Sequence, residues 1–358
     1  MSEEQLMVFK KPSYPINSFF LDYLERFDRV SKVSMYYDDL LRFTGSINVF
    51  DKNDVDTLWI RVYYSEFERA EIDLNLKKIY SYLHSDGNTD IIKFLNVDAI
   101  DYCTFGNSKP FRVKVRNILN DNYTYFYVKK ADASRVYGLE LEHILSPDKI
   151  HFLVYKDTLI EEHIMGIPGD VFMETLLQNC SEVEKAQIAK EFVKFNERCM
   201  IRLLGDMRAY NYVIVPIHDF DQVVYKIRPI DFDQQCYEGN LKVYRPQFFK
   251  ENYPMVKLVK EKLEDSSIEQ YKNEERAALA KRIFSTETRI NKLLQIMGND
   301  NIAPDSQVDQ LKFELYRLTH DINFKRAKSM GNVLNSAFDF ITRNYKNISF
   351  GSYIKSNM

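Results

Sequence analysis

Apolar residues recur at helical spacing over residues 16–43 (INSFFLDYLERFDRVSKVSMYYDDLLRF) and again over 67–85 (FERAEIDLNLKKIYSYLHS), which predicts helices there. Between them, 58–65 (LWIRVYYS) is rich in β-branched and aromatic residues and reads as a strand. Three more strands are predicted over 97–105, 111–118 and 123–131. The joints GNSKP and LNDN between them carry the Gly, Asn, Asp and Pro that turns favour. A helix over 133–145 stops at Ser146-Pro147, and two strands follow, IHFLVYK and TLIEEHI. From residue 171 helix dominates. The segment 181–204 opens on Ser181 with Glu184 three residues on, a capping-box pattern. A strand hairpin (YVIVP to VVYKIRPID) comes next. Helical patterns then cover 255–264, 270–298 and 306–344, broken by GNDNIAPD. This order predicts an α+β chain in three parts: an α/β extension over 1–95, a small mainly-β lobe over 96–164 and a helical lobe over 165–358.

Composition narrows the function classes. The chain has 358 residues, 45% hydrophobic and 14% aromatic, enough to build a sizeable core. Its net charge of −3 offers no field that favours nucleic acid or an anionic membrane, so neither partner is expected. Four scattered cysteines (Cys103, Cys180, Cys199, Cys236) lack zinc spacing. They fit a reduced, cytoplasmic protein. The start, MSEEQLMVFKKPSYP, lacks an apolar signal core, and no apolar run is long enough to span a bilayer.

Candidate chemistry gathers around LLGDMRAYNYVIVP. Asp206 precedes Asn211 by five residues, with Arg208 between them. Past the hairpin, IRPIDFDQQ supplies Asp231, with Asp233 a second carboxylate. Upstream, FYVKKA offers Lys129 and Lys130, and the following helix offers Glu140 and Glu142. Each feature alone has a plainer reading. An acid and an amide five apart are common in loops, a strand-end acid often caps a turn, and paired lysines at a strand edge are often solvated.

Taken in order, residues from about 97 to 245 resemble the protein-kinase-like phosphotransferases, closest in style to small-molecule kinases such as the aminoglycoside and choline kinases. The resemblance implies a two-lobed fold and use of ATP and Mg²⁺. It implies that Asp206 accepts the proton of an acceptor hydroxyl, that Arg208 offsets charge on the transferred phosphate, and that Asn211 and Asp231 hold the metal. It implies a phosphate-binding lysine oriented by a helix glutamate. Lys130 is preferred because the smaller Val128 lies two residues before it on the same strand face, and Glu140 is preferred over Glu142. Glu162, His163 and Ile164 correspond to the adenine-binding hinge, Asp170 to a ribose contact or a helix cap, and Gly106 with Asn107 and Ser108 to a thin phosphate loop.

The pattern also departs from the family. Leu204 stands where a His usually braces the loop, Asp-Phe-Asp replaces Asp-Phe-Gly, and no Ala-Pro-Glu follows. The short segment after Asp231 points away from a regulated protein kinase, and its basic and aromatic residues (Lys242, Arg245 and Lys250 with Tyr244, Phe248 and Phe249) are read either as near the acceptor side or as a packed loop with its basic groups in water. The resemblance therefore leads to a phosphotransferase acting on a hydroxyl of a small molecule or an unconventional protein. A catalytically silent pseudokinase scaffold is the alternative, and nucleotidyl transfer a third reading.

Overall fold

The computed structural model describes residues 11–346 except Asn107 and Asp221. The first helical stretch resolves into two helices, α1 (Ser18–Arg26) and α2 (Tyr37–Leu40). Asn17 caps α1 by accepting the Phe20 N–H at 2.9 Å. The helix ends where Asp28 takes φ +56°. Val30 then forms a parallel bridge with Val154, a tertiary pairing that helical periodicity does not register.

β1 (Gly45–Phe50) and β2 (Asp56–Tyr63) form a hairpin, and α3 (Glu66–His84) follows. β1 escaped the sequence reading because it is largely exposed and its apolar alternation, Ile47 and Val49, is short. The next strands lie close to their expected places: β3 (Leu95–Cys103), β4 (Phe111–Asn117) and β5 (Tyr123–Lys130). α4 (Ala133–Leu145) separates them from β6 (Phe152–Tyr155) and β7 (Thr158–Glu162). All seven strands make one antiparallel sheet in the order β1-β2-β3-β4-β5-β7-β6. The strands of the extension and those of the small lobe therefore share a sheet, which belongs to a compact unit of Pro15–Val136 and Lys149–His163.

Side-chain alternation gives this sheet two unlike faces. Phe111, Val113, Val115, Phe126 and Val128 pack with Ile72, Leu76, Ile79 and Leu83 of α3 in the unit's core. The opposite face carries a row across five strands, in which the register aligns Arg61, Asp101, Arg112, Tyr127 and Glu161. Asp101 accepts Arg61 Nε at 3.0 Å and Arg112 Nη2 at 2.9 Å, while the Arg112 guanidinium lies 4.5 Å from the Trp59 ring centre.

The second unit holds Tyr137–Asp148 and the described residues from Ile164 onward. It opens with β8 (Ile167–Pro168) and α5 (Gly169–Thr175), then the long α6 (Glu182–Arg202). The expected capping box is formed: Ser181 Oγ accepts the Glu184 N–H at 3.3 Å, and Glu184 Oε2 accepts the Ser181 N–H at 2.8 Å. β9 (Tyr212–Asp219) and β10 (Gln222–Pro229) are the expected hairpin, with β8 on the other side of β9. α7 (Tyr253–Lys262), α8 (Asp265–Ser285), α9 (Glu287–Gly298), α10 (Asp305–Thr319), α11 (Ile322–Arg326) and α12 (Met330–Asn344) complete the unit. The run 270–298 is broken at Thr286, and 306–344 is broken between α10, α11 and α12. α6 is the central element, packed against α7, α8, α12 and β10.

All four cysteines are free thiols. Burial pushes the Cys199 and Cys236 thiols up to about 12, which leaves them inert as nucleophiles. Among the described residues no helix is long and apolar enough to cross a membrane.

Candidate active site

The loop that follows α6 is built on backbone hydrogen bonds. Leu203 ends the helix in the left-handed region, φ 51° and ψ 44°, and turns the chain out. Its carbonyl accepts the Cys236 N–H at 2.9 Å, and the Gly205 N–H donates to Gln234 O at 3.1 Å. Gly205 is needed for this approach, since a Cβ there would sit 3.0 Å from Gln234 O and from Val243 Cγ1. The Asp206 N–H donates to Val243 O at 3.1 Å, and Asp206 itself sits at φ +57°. A non-glycine residue at that φ stores strain, which over-determined loops at functional sites sustain.

Two side chains brace the loop. Gln235 Nε2 donates to Arg202 O at 2.6 Å and to Leu203 O at 3.2 Å. It reaches both carbonyls from the far side of the hairpin. Asn252 holds the other flank, donating to Met207 O at 2.9 Å and to Pro246 O at 2.8 Å while accepting the Tyr212 hydroxyl at 2.8 Å. Gln235→Ala removes one donor from two buried carbonyls. The expected cost is about 1–3 kcal/mol, read as a lower melting temperature by calorimetry. An unchanged melting temperature would show that the brace is idle.

The structure brings Asp206, Arg208, Asn211 and Asp231 into one loop-and-hairpin cluster. Asn211 Nδ2 donates to the Asp206 carbonyl at 2.7 Å, and the Ile230 N–H donates to Asn211 O at 3.0 Å, tying the loop to the strand that delivers Asp231. Arg208 Nε donates to Asp206 Oδ1 at 2.9 Å and its Nη1 to Glu251 Oε1 at 2.7 Å, over the Phe249 ring at 5.1 Å. Burial pushes the Asp206 carboxyl up to about 6; Arg208 opposes the rise, while the charges of Asp231 and Glu251 add to it. Asp231 accepts the Asp233 N–H at 3.1 Å, so the second carboxylate of Asp-Phe-Asp follows it in a tight turn.

The upstream candidates have other partners. Lys130 shares its face with Val128 and pairs with Asp38 of α2 at 3.0 Å, both groups being more than half exposed. Lys129, on the opposite face, is buried and forms an ion pair with Glu161 of β7. Glu140 accepts Arg289 Nε at 2.8 Å and Nη2 at 2.6 Å, and Glu142 pairs with Arg202 at 2.6 Å, which anchors α4 within the helical unit. Gly106 holds φ +79° at the tip between β3 and β4, a conformation suited to glycine. Asn107 lies outside the described residues.

At the expected hinge, the Glu162 and His163 N–H groups donate to His151 O at 3.0 Å and Tyr125 O at 3.3 Å, so the sheet already uses both. Ile164 is buried. The His163 ring lies beside Tyr127, its Nδ1 3.1 Å from the tyrosine hydroxyl. Asp170 sits in the first turn of α5 and accepts the Val171 N–H at 2.9 Å, within the helix start rather than before it.

Sequence reasoning passed over Gln235, Glu251 and Glu161. Nothing local marks Gln235 or Glu251, whose partners lie about 30 and 40 residues upstream. Nor is Glu161 marked locally, since its meeting with Lys129 depends on the register that sets Glu161 opposite Tyr127. Among the described residues no group of three or more His, Cys, Asp or Glu side chains is arranged to hold a metal ion. The chain matches no protein-family model, and no curated protein matches it.

Proposed function

We propose that this protein is an ATP- and Mg²⁺-dependent phosphotransferase that delivers a phosphoryl group to an alcohol hydroxyl. One observation carries the reading: the cluster around Asp206, in which desolvation pushes a half-buried carboxyl up to about 6 within a strained, doubly braced loop. A carboxylate tuned to that range is mostly ionised at neutral pH and still basic enough to take a hydroxyl proton. As the acceptor oxygen bonds to the γ-phosphorus, the bond to the β-phosphate oxygen breaks and the proton passes to Asp206. Arg208 supplies the nearest positive charge, and Glu251 and Phe249 hold it in place.

The donor set fits a metal bound jointly with a nucleotide. The Asn211 amide nitrogen is spent on the Asp206 carbonyl, while its oxygen accepts no hydrogen bond from the described residues. Asn211 and Asp231 would hold Mg²⁺, which neutralises phosphate oxygens when bound. The order of elements also supports a kinase-like reading: β3-β4-β5-β7-β6 neighbours with one helix before β6, then a helical unit carrying the loop and hairpin.

A scaffold reading draws on the Arg208–Asp206 ion pair, which already engages the supposed base. Thermal shift with ATP separates the two. The phosphotransferase reading expects a Mg²⁺-dependent rise in melting temperature that Asp231→Ala abolishes, since a ligand bound to the native state alone raises it. A wild type that shifts with no nucleotide, with or without Mg²⁺, would favour the scaffold.

A further inference from the structure

The two edges of the seven-stranded sheet are treated differently. β6 forms one edge. Its Val154 N–H donates to Arg29 O at 2.7 Å and its Val154 carbonyl accepts the Ser31 N–H at 2.8 Å, so the chain leaving α1 covers that edge. β1 forms the other edge, and none of the described residues pairs with its outer side. Natural edges are commonly blunted by a charged side chain or a proline. β1 reads GSINVF and carries neither. Ile47 and Phe50 are 56% and 54% exposed.

The ladder decides which backbone groups stand open. Leu58 O accepts the Thr104 N–H at 3.0 Å, so the even-numbered residues of β2 turn their backbone groups toward β3 and the odd-numbered ones toward β1. Arg61 and Trp59 lie opposite Ile47 and Val49. Ile47 and Val49 therefore bond inward, and the Thr57 hydroxyl also donates to Val49 O on that side. Ser46, Asn48 and Phe50 present their N–H and C=O groups outward.

This outward pattern is its own complement. A second β1 laid antiparallel, with a two-fold axis through Asn48, pairs Ser46 with Phe50 of the other copy and Asn48 with its equivalent. That gives up to about six backbone hydrogen bonds. The same register sets Ile47 opposite Val49 in the closer, non-hydrogen-bonded pairs, once on each side of the axis, where β-branched side chains stabilise a sheet. Because β1 is uncharged, no like charges meet across the seam. We propose that the β1 edge is a self-association surface, through which two copies of this chain join their sheets into one.

Sedimentation velocity of the full chain over a range of concentrations tests this. Wild type should show a reversible monomer–dimer equilibrium. Asn48→Pro removes an outward N–H and puts a ring in the seam while leaving the bonds to β2 in place. Ile47→Lys sets a charge on the exposed edge. Each should raise the dissociation constant about tenfold or more, as loss of a pair of hydrogen bonds would, and keep the wild-type circular dichroism spectrum. Oxidised Asn48→Cys should form a covalent dimer, because the Cα atoms of a hydrogen-bonded pair lie about 5.5 Å apart. Ser46→Cys should cross-link no more than wild type, since its two copies lie roughly 13 Å apart along the strands. A wild type that stays monomeric at every concentration overturns the proposal. A dimer that withstands both Asn48→Pro and Ile47→Lys overturns the assignment to β1, and equal cross-linking through Ser46→Cys overturns the axis at Asn48.

Discussion

On the proposed phosphotransferase reading, Asp206→Asn should cut phosphoryl transfer sharply while making the protein more stable at neutral pH. The amide keeps the side chain's shape and can still face Arg208, but it cannot accept a proton. Loss of a general base costs about 10²–10⁴ in rate. The stability gain follows from the raised carboxyl, which moves from the ordinary 3.8 to about 6. Below the unfolded value both states are protonated and the group contributes nothing. Between about pH 4 and pH 6 the unfolded chain ionises first, so stability falls as pH rises. Above the folded value the full cost is present. A rise of that size corresponds to roughly 3 kcal/mol. The Asp206 side chain is 19% exposed, and solvent screening brings this nearer 2 kcal/mol. The check is a pair of melting curves at pH 8 and pH 4 beside a turnover assay. The variant should melt a few degrees higher at pH 8 and match wild type at pH 4. Equal melting temperatures at both would show that burial does not tax this carboxylate, and retained turnover would remove it as the base.

Glu142→Ala should strongly destabilise the helical unit. Glu142 and Arg202 lie 2.6 Å apart with side chains 4% and 3% exposed, and Arg202 Nε and Nη2 are buried without hydrogen bonds. Removing the acid leaves an uncompensated guanidinium in the interior, which costs about 3–5 kcal/mol. Because Arg202 is the last residue of α6, just ahead of the Asp206 loop, the damage should reach the site as well. Glu142→Leu combined with Arg202→Met removes both charges and should recover most of the loss. Chemical denaturation of the three proteins decides the matter. A double variant as unstable as the single one would mean that the pair contributes shape rather than charge balance.

Much of the frame was legible in the sequence. The bounds of α4 follow from its apolar spacing and from the Ser146-Pro147 stop that follows it. The capping box at Ser181 and Glu184, and the hairpin between Asn211 and Asp231, are local patterns whose bonds close within a few residues or across one turn. The same holds for the spacing of Asp206, Arg208 and Asn211, because a single tight loop brings them together. β1 was not legible, because a largely exposed strand with two alternating apolar residues gives too short a pattern to read. Nor was the brace by Gln235, which reaches back across the hairpin to two carbonyls at the end of α6.

The two lysines of FYVKKA divide the matter most sharply. Alternation along a strand determines, from sequence alone, that Lys129 and Lys130 point to opposite faces. It does not say which face is covered. That depends on α3 docking its Ile72, Leu76, Ile79 and Leu83 against Val128 and its neighbours, contacts made across some fifty residues of chain. Only the tertiary structure decided that Lys130 meets Asp38 at the surface while Lys129 is buried with Glu161. Local chemistry sets what each residue can do, and long-range packing sets which of them meet.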